Sequence, residues 1–176
     1  MATLTGPDLI HAQLKKIGIK IVSGLPDDWL IALMTRIDKD PDIVQVRVAR
    51  EPEAVGVCGG AFFGGTPACA VMGIAGLLAC GHEFALFNSA HQVPLFILST
   101  LRGTLEDPRT YQVAQGLIGL DYLDAIEVPH MTIDRVEDIE LIPAAYNRSR
   151  LVKRTFACFF TKSVLHHGME TLPGGH

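Results

Sequence analysis

Short apolar runs set between helical patterns limit this chain's folding choices more than any other feature. PACAVM, from Pro67 to Met72, lacks polar alternation, so a strand built from it must be covered on both faces. VPLFILST, Val93 to Thr100, is a further central strand, and TFACFFT, Thr155 to Thr161, is the last one. Ile19 to Ser23 and a segment near Ile126 to Val128 are shorter strands. VQVRV, Val44 to Val48, alternates apolar and polar residues. Helical patterns lie between the strands. Leu9, Ile10, Leu14 and Ile17 follow a helical period that Thr5 and Pro7 open and Gly18 closes. GLPDDWL turns into a second helix through Ile37, and Pro52 opens a third. Further helices are predicted over Ala75 to Ser89, Leu117 to Asp124 and Val136 to Leu151. Strands alternating with helices predict an α/β fold in three layers: a doubly wound, mostly parallel six-stranded sheet with helices on both faces.

At 176 residues the chain is long enough for one domain with a real core, and 48% apolar content sets it apart from disordered chains. The domain is expected over residues 1–165, with 166–176 as a flexible tail. A formal charge of −4 and the lack of a basic stripe argue against a general nucleic-acid binder. Arg148, Arg150, Lys153 and Arg154 form the densest basic cluster and read as a solvated helix end. Cys58, Cys69, Cys80 and Cys158 lie in apolar runs without metal-ligand spacing, as in reduced core thiols. The N-terminus has no apolar signal core, and the run from Ala68 to Gly81 is too short to span a bilayer. A soluble, cytoplasmic protein is expected.

Glu51 draws attention because a strand stops and a helix starts there. In open α/β folds such positions lie at the carboxyl edge of the sheet, where ligands bind. Ala, Val, Gly and Cys follow it, which points to poor hydration and a raised proton affinity suited to proton transfer. The other reading is that Glu51 caps the helix and complements its dipole. Several motifs are absent. There is no GxGxxG and no GK[ST], His82-Glu83 lacks a second metalloprotease histidine, and Gly73 to Gly81 holds no nucleophile at an elbow. His82 and His91 read as satisfied core or surface residues.

AREPEAVGVCGGAFFGG (Ala49 to Gly65) with the following strand and helix, GLPDDWL (Gly24 to Leu30), LRG (Leu101 to Gly103) and Gln115-Gly116 carry a resemblance over residues 5–163. The set resembles the pyrimidine-binding domain of thiamine-diphosphate enzymes, and within them the sulfopyruvate and phosphonopyruvate decarboxylases. The resemblance implies that Glu51 hydrogen-bonds the ring nitrogen of the cofactor's aminopyrimidine, activating it as electron sink for decarboxylation of a 2-oxo acid. It also implies that Gly76 and Leu77 contact the cofactor. Pro26, Asp27 and Asp28 would border the substrate, with Arg102 structural or at the pocket margin. The family's second domain holds diphosphate and Mg2+ through GDG and a later Asn, and no Gly here precedes an Asp. The chain therefore resembles an α subunit whose β subunit anchors thiamine diphosphate and Mg2+ in a hetero-oligomer with α–α contacts. The apolar helix Ala75 to Ser89 is the expected docking surface.

Two departures bear on function. MGIAGLLA (Met72 to Ala79) stands where the family has the polar MQNSGLGN, and Asp28 replaces a serine, adding a carboxylate that would repel a strongly anionic substrate. Two other readings stay open: a non-catalytic partner of a thiamine-diphosphate-binding β subunit, and a flavodoxin-like module for another ligand.

Overall fold

A computed structural model of the chain describes residues 4–25, 27–105, 107 and 109–169. One sheet runs in the order β2-β1-β3-β4-β6-β5. Its strands are β1 (Ile21–Gly24), β2 (Val44–Arg47), β3 (Ala68–Gly73), β4 (Leu95–Thr100), β5 (His130–Ile133) and β6 (Thr155–Phe160). All neighbouring strands pair in parallel. The helices are α1 (Gly6–Lys16), α2 (Ile31–Asp38), α3 (Glu51–Phe63), α4 (Ile74–Ala79), α5 (Gly81–Glu83), α6 (Thr110–Ala125), α7 (Ile142–Val152) and α8 (Lys162–Leu165). A parallel sheet needs cover on both faces, and two apolar clusters supply it. Leu14, Leu33, Phe96 and Ile142 belong to one, beneath α1, α2 and α7. Val55, Leu77, Ile97 and Leu123 belong to the other, beneath α3, α4 and α6. Each fully buried Leu, Ile or Phe in these layers contributes about 1.5–3 kcal/mol relative to leaving it in water.

Local signals act as their chemistry requires. Thr5 Oγ1 accepts the Asp8 N–H at 3.3 Å, and Asp8 Oδ2 accepts the Thr5 N–H at 2.9 Å, so two orphan donors of α1 are satisfied reciprocally. Gly18 then leaves the helix with φ +75°, a conformation glycine adopts without steric cost. The four cysteines are free and buried, and burial pushes the thiols of Cys58 and Cys158 up to about 12. Among the described residues no helix is long and apolar enough to cross a membrane.

Several expectations from the sequence are corrected. The apolar residues Ile126 and Val128 do not form a strand. Glu127 turns the chain out of α6 with φ +56°, and β5 begins only at His130. Helix α6 starts at Thr110, seven residues before the expected Leu117, although Gly116 lies inside it. Val136–Leu141 is a 3-10 helix preceding α7. VQVRV does form a strand, β2, which lies at one edge of the sheet with Val44 exposed. At the C-terminus the Gly6 N–H donates to the His167 carbonyl at 2.9 Å. Residues 170–176 lie outside the described residues.

The segment Ala75 to Ser89 is not one helix apolar on all sides. Cys80 ends α4, and after α5 Phe84–Ser89 forms a π-helical turn. Ile74, Leu77, Cys80 and Phe84 are buried in their own domain. Ala75, Ala79, Ala85 and Leu86 are the apolar residues left exposed.

Candidate active site

Parallel pairing gathers the segments that follow β1, β2, β3 and β4 at one edge. The chain leaves β1 toward β2 on one side and leaves β3 toward β4 on the other, so the connections diverge between β1 and β3. A crevice at such a switch point is where open α/β sheets bind ligands. Asp27 follows β1, Glu51 follows β2, Gly73 ends β3 and Arg102 follows β4.

Glu51 is the first residue of α3 and is half-buried. It does not cap that helix. Glu53 does so, its Oε2 accepting the Ala49 N–H at 2.9 Å and the Arg50 N–H at 3.3 Å. Glu53 stands three residues after the N-cap Arg50, the spacing from which a carboxylate reaches back, so this signal was present in the sequence. The Glu51 carboxylate accepts no hydrogen bond among the described residues. It lies against Gly76, where a Cβ would overlap the Glu51 Cγ and carboxyl group. Glu51 is also close enough to Cys80 to act on its thiol: burial first, then the carboxylates of Glu83 and Glu51, push it up to about 12. The site thus offers a carboxylate without a protein donor, above a helix stripped of its side chain at the point of approach. Such a group can accept a hydrogen bond from a ligand N–H or hold a proton at a ligand nitrogen.

Arg102 has the opposite environment. It is 1% exposed. Its Nη1 donates to both Asp27 carboxylate oxygens at 3.1 and 3.2 Å, and its Nε donates to Asp107 Oδ2 at 2.7 Å. The guanidinium lies 4.0 Å above the centre of the Trp29 ring. Asp107 also accepts the backbone N–H groups of Gly103 and Arg109, each at 3.2 Å. Burial pushes the Asp107 carboxyl up, but Arg102 and these two donors outweigh it and hold the group below the usual carboxylate value. Burial likewise disfavours the charged Arg102, and its two aspartates reverse the effect. Asp27 Oδ1 in turn accepts the Trp29 N–H at 3.0 Å and fixes the turn after β1. The carboxylate side of Asp27 stands beside Gly73, where an added Cβ would meet Oδ2 at 3.0 Å.

The sequence-predicted residues therefore form two groups. Glu51 meets Gly76, and Asp27 meets Arg102. Leu77 is fully buried, and its side chain belongs to the core. Pro26 lies outside the described residues. Asp28 is exposed and ion-paired with Arg109, so the lone carboxylate expected to repel an anion is neutralised by a neighbour. Sequence reasoning passed over Trp29, Asp107 and Arg109. The last two lie in the segment between β4 and α6, and only the burial of Arg102 shows why an acid is needed five residues after it. The tight fit of Gly103 and Gly116 explains the LRG and QG elements: a Cβ on Gly116 would come within 2.5 Å of the Arg102 carbonyl oxygen. Among the described residues no group of three or more His, Cys, Asp or Glu side chains is placed to hold a metal ion. A cavity of about 460 Å³ lined by His11, Lys15, Arg36 and Asp40 lies away from this edge, between α1 and the α2–β2 turn.

No protein-family model matches the chain. Among solved structures it is similar to a 2-oxoglutarate:ferredoxin oxidoreductase from Magnetococcus marinus. The TM-score is 0.64 at 16% identity, over 92% of this chain and 29% of that one, a likeness in fold alone. The α subunit of sulfopyruvate decarboxylase from Methanococcus maripaludis is 24% identical over 73% of this chain and 77% of its own. Phosphonopyruvate decarboxylase from Streptomyces viridochromogenes is 31% identical over 54% of this chain but only 24% of its own length. The sulfopyruvate decarboxylase α subunit from Methanothermobacter thermautotrophicus is 30% identical over 71% of this chain and 76% of its own. Similarity of that extent along both chains shows the family, and this chain belongs to the sulfopyruvate decarboxylase α subunits.

Proposed function

We propose that the chain is the α subunit of a thiamine-diphosphate-dependent 2-oxo acid decarboxylase in which Glu51 faces the aminopyrimidine of the cofactor. The observation that carries this reading is the division of labour between Glu51 and Glu53. Glu53 satisfies the helix start, so Glu51 keeps a half-buried carboxylate without a protein partner, directed at the bare Cα of Gly76. Bound thiamine diphosphate supplies the electron sink for loss of CO2 from a 2-oxo acid. Glu51 would hold a hydrogen bond at a pyrimidine ring nitrogen, and Gly76, bare at its Cα, makes room for the Glu51 carboxyl group beside it. Arg102 acts from below, keeping the Asp27 turn in one conformation at the rim of the crevice. A β subunit supplies the contacts to diphosphate and Mg2+.

The substrate is a 2-oxo acid, and a sulfonate or phosphonate on it meets no isolated carboxylate at Asp28, because Arg109 balances that charge. The test is CO2 release by the reconstituted pair from sulfopyruvate, phosphonopyruvate and pyruvate. Glu51→Gln lowers turnover about 10²–10⁴-fold while leaving subunit association intact. Undiminished turnover in that variant would support the non-catalytic reading instead.

A further inference from the structure

We infer that the exposed apolar face of α6 is the surface on which the β subunit docks, an inference that rests on the two-subunit reading above. Helix α6 is partly inverted. Tyr111 is 62%, Leu117 72% and Ile118 55% exposed, with Ala114 between them on the same face and Val113 beside it. Leu105, just before the helix, is fully exposed. Gln112 and Gln115 turn inward, and the Oε1 of each is buried without a partner among the described residues. A surface helix of a free-standing domain carries the reverse pattern. Contiguous apolar patches on monomers seldom exceed a few hundred Å², and larger ones mark interfaces.

The face adjoins the candidate site. Gly116 packs on Arg102 and Gly103, and Gly119 packs on Ile74 at the start of α4, the helix that carries Gly76. A partner seated on α6 therefore borders the edge where Glu51 stands. The Streptomyces phosphonopyruvate decarboxylases match this chain over only 24% and 23% of their length, so most of their polypeptide has no counterpart here. In a two-subunit arrangement that material must return as a separate chain against the same domain. Charge selects this occupant over a second copy. Asp121 and Asp124 rim the face, and α6 carries no Lys or Arg, so another α6 brings no cation from its own helix to them. The docking surface of the β subunit is therefore apolar with a basic rim. This moves the docking surface from Ala75–Ser89, where Leu77, Cys80 and Phe84 are in the core, to α6.

The test measures affinity of the co-expressed pair by calorimetry after separation and remixing. The double variant Leu117→Asp, Ile118→Asp weakens association at least ~100-fold, as expected when charge enters a desolvated contact. Its far-UV spectrum and melting temperature stay those of the parent chain, because the changes lie on the surface. Leu151→Asp, an equally exposed site on α7, leaves affinity unchanged. Unaltered affinity in the double variant, equal weakening by Leu151→Asp, or loss of a homodimer of this chain with the heteromer intact would each overturn the inference. Glu51→Gln separates the two proposals. If it abolishes turnover while the α6 variant still binds, only the docking surface is wrong; if turnover persists, the catalytic reading is wrong whatever α6 does.

Discussion

Asp27 and Glu51 each follow a strand at the same edge of the sheet, yet their surroundings differ in kind. Asp27 receives two hydrogen bonds from Arg102, at 3.1 and 3.2 Å, and fixes the turn at Trp29. Glu51 has the bare Gly76 against its carboxyl group and no donor among the described residues. A buried charge that is fully paired holds structure together, because removing one member leaves the other desolvated and uncompensated. A carboxylate that the fold relieves of local duties remains free for a ligand. The contrast separates a structural latch from the carboxylate proposed above to meet the cofactor, on one edge of the sheet.

The largest stability effect falls on the latch. Arg102→Ala leaves the buried Asp107 and the half-buried Asp27 without their cation and costs about 3–5 kcal/mol in denaturant unfolding. Its pH dependence follows from Asp107, whose carboxyl is held below the usual value. That contribution is complete above the unfolded value near 4 and is lost as pH falls through the lower folded value. Arg102→Ala should flatten this acid-side decline, and an unchanged slope would show that Asp107 is not the group responsible. A cost below about 1 kcal/mol would mean the latch is no stronger than a surface pair.

Gly76→Ala tests the other region and should behave in the opposite way. The new methyl group displaces the flexible Glu51 side chain rather than backbone, and alanine favours the helix by up to about 1 kcal/mol. Turnover should fall about 10–100-fold through misplacement of the carboxylate, with no loss of melting temperature. Parallel loss of stability and activity would make Gly76 a packing residue only. The smallest effect is expected for Glu53→Ala, which removes the acceptor for two backbone N–H groups and costs about 0.5–2 kcal/mol. Turnover per folded enzyme should stay within about twofold, since the cap and the carboxylate proposed to meet the cofactor are different residues. A loss as large as that of Glu51→Gln would merge the two roles.

How much of this was legible beforehand depends on the range of the forces involved. Strand and helix alternation, the helix start at Thr5 and Pro7 and the exit at Gly18 are written locally, and the structure has them. Glu51 was legible as a strand-to-helix carboxylate, but cap and ligand-facing roles could not be separated until Glu53 was seen to hold the Ala49 and Arg50 N–H groups. The sequence pattern starts α6 only at Leu117, directly after Gly116. Its close approach to Gly103 shows that the glycine is there for contact with a distant segment.

The order of apolar runs by itself determined a parallel sheet covered on both faces, since runs without alternation have no side to turn to water. It also determined where chemistry could sit, because each strand's end lies on one edge once the strands are parallel. Only the tertiary structure decided that Arg102 is buried between two aspartates and that Asp28 is neutralised by Arg109, 81 residues away in sequence. Only it decided which helix face stays apolar in water. Pairing of charges and exposure of side chains depend on segments far apart in the chain, and no local pattern carries that information.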